Sequence, residues 1–118
     1  MNTKSPECYT TELQAHCLRV EISATQLLVL PLDQFVFAEL TSEDKEQKLR
    51  LVFATHEVLI YGHVLRRIEM AVCRLELSGI MKLSEKYHAL VAENQPRIRE
   101  IVVTESKPSA LQSEASLN

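Results

Sequence analysis

The sequence predicts an α+β fold: an antiparallel sheet of about five to six strands, a β-meander, with one main helix packed on it in the order β-β-β-β-β-α-β. Three observations carry this. Apolar residues recur at every second position in short runs before Gly62, the period lengthens to three and four after it, and the connections between runs are short. With 118 residues, 46% of them apolar, the chain is long enough for one domain with a core of its own. Trp is absent and Phe and Tyr number three each, so that core must come from Leu, Val and Ile.

In "LRVEIS", Leu18, Val20 and Ile22 fall on one side and Arg19, Glu21 and Ser23 on the other, the pattern of a half-buried strand. A turn at Ala24-Thr25 leads into "QLLVL", an apolar run that Pro31 ends. "QFVFAEL" is rich in aromatic and β-branched residues and reads as a third strand. The charged "TSEDKEQ" makes a turn or short helical corner. "KLRLVF" then alternates through Leu49, Leu51 and Phe53, and "EVLIY" follows directly. From Val64, the positions Leu65, Ile68, Val72 and Leu75 are spaced for a helix. Gly79 sits where that helix would end. Residues 80–95 read equally as loop or continued helix, Pro96 breaks them, and "RIREIVV" is a last strand. The two ends are polar and aperiodic. They predict a loosely attached N-terminus over 1–11, a single domain over 12–104 and a disordered tail over 105–118.

Composition narrows the function classes. The net charge of −3 gives no global reason to bind nucleic acid or an anionic membrane. The charge is uneven, however: residues 1–62 carry 5 Lys/Arg against 9 Asp/Glu, and residues 63–99 carry 7 against 4. The longest apolar run, "LLVLPL", is too short to cross a bilayer, and the first residues lack the apolar stretch of a signal peptide. Cys8, Cys17 and Cys73 show no C-x-x-C spacing. A cytoplasmic protein with reduced thiols, no cofactor and no membrane contact is the expectation.

"THEVLIYGH" raises the question of a metal or catalytic site at His56, Glu57 and His63. A zinc protease needs H-E-x-x-H on a helix, where a four-residue step puts both imidazoles on one side. Here the two histidines are seven apart on a strand, and an odd separation sends them to opposite faces. His16, Cys17 or His88 could supply a further ligand and Tyr61 a hydroxyl, but no spacing singles them out. Two glycines are too few for a phosphate-binding loop, a dinucleotide fingerprint or a nucleophile elbow. No residue is assigned as catalytic, cofactor-binding or metal-ligating.

The helix is more informative. Val64, Leu65, Ile68, Ala71, Val72 and Leu75 fill one arc at about 100° per residue and should cover the sheet. Met70, Cys73 and Leu77 lie opposite, with Arg66 among them, where a surface helix should be polar. An outward apolar stripe marks a contact surface. The sequence therefore predicts a small non-catalytic interaction module that binds itself, as a homodimer or higher oligomer, or another protein. Two alternatives stand beside it. One is a small enzyme or metal site centred on His56 and Glu57. The other is a weak anionic-ligand or nucleic-acid site at Arg66, Arg67 and Arg74, joined by Arg97, Arg99, Lys82 and Lys86. Nucleic acid is not the expected partner, because glutamates are interspersed and stacking aromatics are scarce.

Overall fold

A computed structural model describes residues 7–84, 86, 90 and 93–106. The described residues form a mixed α+β fold, with eight strands in two four-stranded sheets and one α-helix, α1 (Arg66–Cys73), among them. The elements are β1 (Tyr9–Thr11), β2 (Cys17–Ser23), β3 (Gln26–Pro31), a 3-10 turn (Leu32–Gln34), β4 (Phe35–Ser42), β5 (Gln47–Phe53), β6 (His56–His63), α1 (Arg66–Cys73), β7 (Leu77–Met81) and β8 (Arg97–Glu105).

The single meander is the first expectation to be corrected. β3 does not pair with β4. Pro31 ends β3, and the 3-10 turn buries Leu32 while its amide donates to the His16 carbonyl at 2.9 Å. The chain thereby crosses from a first sheet, ordered β1-β7-β2-β3, to a second, ordered β4-β5-β6-β8. Meander connectivity survives only in β4-β5-β6, with β8 antiparallel on the far side of β6. In the first sheet β7 lies between β1 and β2, antiparallel to β1 and parallel to β2.

The alternating positions do what their period requires. Leu18, Val20 and Leu30 of the first sheet and Leu49, Leu51, Phe53, Val58 and Ile60 of the second are buried in one continuous core. At roughly 1.5–3 kcal/mol for each large apolar side chain, this burial is the main force holding the sheets together. The folded part starts before residue 12: Cys8 is fully buried and β1 begins at Tyr9. It also runs past 104, since β8 ends at Glu105 and Ser106 donates to the Thr55 carbonyl at 2.8 Å. The remainder of the expected tail, from 107, lies outside the described residues.

The helix is shorter than its sequence period suggests. Leu65, Ile68, Ala71 and Val72 are buried, and α1 packs against β4 and β7. It stops at Cys73, not near Gly79. The amide of Leu75 donates to the Val72 carbonyl and that of Glu76 to the Ala71 carbonyl, each at 2.9 Å, a Schellman closure. Its left-handed position is filled by Leu75, at φ 57°, where glycine is the usual occupant. Gly79 instead sits inside β7. Leu75 therefore leaves the core stripe, and Leu77 leaves the outward stripe: it is a fully buried residue of β7.

Candidate docking surface on α1

The outward side of α1 is built by elimination. With Ile68, Ala71 and Val72 facing the sheets, Arg66, Arg67, Met70, Cys73 and Arg74 remain in solvent. Met70 is 42% exposed. So the contact surface read from the sequence keeps Arg66, Met70 and Cys73 and loses Leu77. Leu75, whose left-handed backbone turns it out of the core, is 45% exposed and takes its place.

A second element frames this face. The segment between β1 and β2 passes beside the end of α1, held there by the Glu12 amide donating to the Glu76 carbonyl at 2.9 Å. Two grooves result. One, of about 240 Å³, lies between Tyr9 and Thr11 of β1 and Arg67 and Met70 of α1 with its C-cap Arg74. The other, of about 560 Å³, runs between Leu13, Gln14 and His16 on one side and Leu75 on the other. Arg74 and Glu76 line both. Leu13 is 83% exposed beside them.

Backbone strain concentrates here too. Gln14 and Leu75 are two of the three non-glycine residues at positive φ among the described residues, and both border the larger groove. A left-handed conformation costs a residue with a side chain roughly 1–2 kcal/mol, and such costs cluster where a side chain is needed in one place. The third, Val64, marks the junction of β6 and α1, where the Leu65 amide donates to Gln47 Oε1 at 2.8 Å.

The charges sort into two groups. On the second sheet Arg50 bridges Glu39 and Glu57, Arg99 holds Glu46 through two hydrogen bonds at 2.7 and 2.9 Å, and Lys82 lies 3.7 Å from Glu100. The hydrogen bond from Arg99 keeps the Glu46 carboxyl below its ordinary range. Arg66, Arg67 and Arg74 form no ion pair among the described residues. Of the basic residues expected from the last strand and the segment before it, Arg99 and Lys82 are engaged by Glu46 and Glu100. A bulge in the β6–β8 pairing skips Arg99, which turns to Glu46, while Arg97 is half-buried with its Nε lacking a hydrogen-bond partner.

The histidine candidates are placed apart. His56 Nδ1 is 2.7 Å from the Thr55 hydroxyl, whereas Glu57, the next residue of β6, is bound to Arg50. His63 Nε2 lies 2.8 Å from the Lys45 carbonyl oxygen at the other end of the strand. Tyr61 lies under the Arg99 guanidinium. No group of three His, Cys, Asp or Glu that could hold a metal occurs among the described residues, and His88 lies outside them. A further depression of about 250 Å³ opens on the outer side of the first sheet over Gly79, between Thr10, Arg19, Leu27 and Met81.

Leu13 and Gln14 were not among the residues singled out from sequence, and Leu75 was expected in the helix's core stripe, not on the surface. The available signals were a lone leucine in a polar segment and a helix end with no glycine to close it. No family model matches the chain, and neither a curated protein nor a solved structure is significantly similar to it. No helix among the described residues is long and apolar enough to cross a membrane.

Proposed function

We propose that this chain is a small, non-catalytic interaction module that docks another polypeptide along the grooves between α1 and the β1–β2 segment. The observation that carries the reading is Leu75: an exposed leucine held outward by a left-handed backbone, beside exposed Leu13 and Met70. Stability alone favours glycine there, and exposed apolar side chains lining a groove are the usual mark of a contact surface. Three free thiols accord with a reducing, cytoplasmic setting. The test is an unbiased peptide-display selection on the immobilised protein, counter-screened against a Met70→Glu/Leu75→Glu variant. Binders that lose affinity for the variant support the reading; binders indifferent to it refute it.

Self-association is the second version. Glu43 and Asp44, exposed at the β4–β5 turn, carry acidic charge that a second copy could bring to the arginines of α1. Light scattering at tens of micromolar decides it: a mass of twice 13.4 kDa, falling with salt, is the dimer's signature. A strict monomer rules this version out.

A further inference from the structure

We infer that the polypeptide taken by this face is an acidic segment carrying apolar side chains, supplied by a different protein. The inference rests on the docking reading above and adds the partner's chemistry. Arg66 and Arg67 of α1 and Arg74, its C-cap, are exposed with no ion pair among the described residues. The only acid lining the grooves is Glu76, which contacts none of them within ion-pair distance. Uncompensated charge beside apolar surface selects a complementary partner and speeds its encounter.

Spacing adds a pattern. Arg67 and Arg74 are seven residues apart, about 10 Å along the helix axis at 1.5 Å per residue. A chain in the polyproline II conformation rises about 3.1 Å per residue with three residues per turn, so its residues three apart share one face and lie about 9 Å apart. Acids three apart on such a chain would therefore meet the two guanidiniums, with the apolar residues between them turned to either side of that line. A neighbouring apolar residue would reach the larger groove at Leu75 and Leu13.

A second copy fits this poorly. Its acidic turn reads Glu43, Asp44, Lys45, Glu46, with no apolar side chain to enter the grooves and with Glu46 already held by Arg99. Nucleic acid fits no better: of the groove residues only Tyr9 and His16 offer a ring to stack on, and Met70, Leu13 and Leu75 would meet phosphate instead of apolar surface.

Fluorescence anisotropy on the full chain tests the inference with three short labelled peptides of one leucine pattern. Their third positions are all Glu, all Gln or all Lys. The Glu peptide should bind in the micromolar range and weaken with salt. An Arg67→Glu/Arg74→Glu variant, checked for an unchanged melting profile, should lose at least tenfold for the Glu peptide, about 1.4 kcal/mol, and gain for the Lys peptide. Equal binding of the Gln and Glu peptides overturns the acidic partner while leaving the docking reading intact. Binding that ignores a Met70→Glu/Leu75→Glu change overturns the docking reading itself. Failure of all three peptides, tighter binding of a mixed oligonucleotide, or a salt-sensitive dimer each overturns the inference.

Discussion

Gly62 of β6 lies directly against the Arg97 carbonyl of β8, leaving no room for a side chain between the two strands. The obstacle is backbone, at a bulge where β8 already bends, so neither strand gives way cheaply. Gly62→Ala should destabilise the protein by about 3 kcal/mol, the upper range for overpacking a well-filled site. Gly79→Ala is the control. A Cβ at Gly79 would crowd the Thr10 hydroxyl, 2.8 Å away on a side chain that can rotate, and would meet the Arg19 carbonyl oxygen at an ordinary 3.7 Å, so its cost should stay within about 1 kcal/mol. Urea denaturation of the two variants checks both values.

Leu75 and Leu77 separate function from stability. Leu77 is fully buried in β7, and Leu77→Ala should cost about 2–5 kcal/mol, as for other buried leucines. Leu75→Gly should change stability by no more than about 1 kcal/mol, because relief of the left-handed strain offsets the loss of a side chain that is 45% exposed. The same change should weaken docking. Thermal melts of the two variants show the contrast. A large loss from Leu75→Gly would mean that this leucine serves the fold.

These two leucines also show where the sequence stopped being legible. Strand positions in β2 and β5 followed from alternation, since one face of each is buried and the period is two, while β3 and β6 were read from short apolar runs. The division into two sheets did not follow. One-sided alternation is identical whether consecutive strands share a sheet or face each other across a core, and the switch rests on Leu32, one buried residue in a turn. β7 was hidden because Leu77, Ser78 and Ile80 are all buried, so it does not alternate. The end of α1 was misplaced because its left-handed residue is a leucine. At the candidate surface, Met70 and Cys73 were visible from helical geometry, but the β1–β2 segment meets α1 only through tertiary packing.

Cys8 and Cys73 should differ in reactivity. Cys8 is fully buried, its thiol 3.4 Å from the Pro96 carbonyl oxygen, and burial pushes its pKa up to about 11 from 9.0. The folded state thus holds this proton more tightly than the unfolded chain. The corresponding stability is whole below pH 9 and is lost as pH rises from 9 towards 11. A thiol reagent should modify exposed Cys73 in the native protein and reach Cys8 only on unfolding. A Cys8→Ala variant should lose the alkaline part of the stability profile, read by denaturation across pH 8 to 11.

The most direct test of docking along α1 is a two-dimensional NMR titration of the isotope-labelled protein with a peptide obtained by the display selection. Shifts concentrated at Leu13, Gln14, Arg67, Met70, Arg74 and Leu75 are the predicted result. Shifts confined to the outer side of the first sheet, around Leu27, Gly79 and Met81, would contradict it.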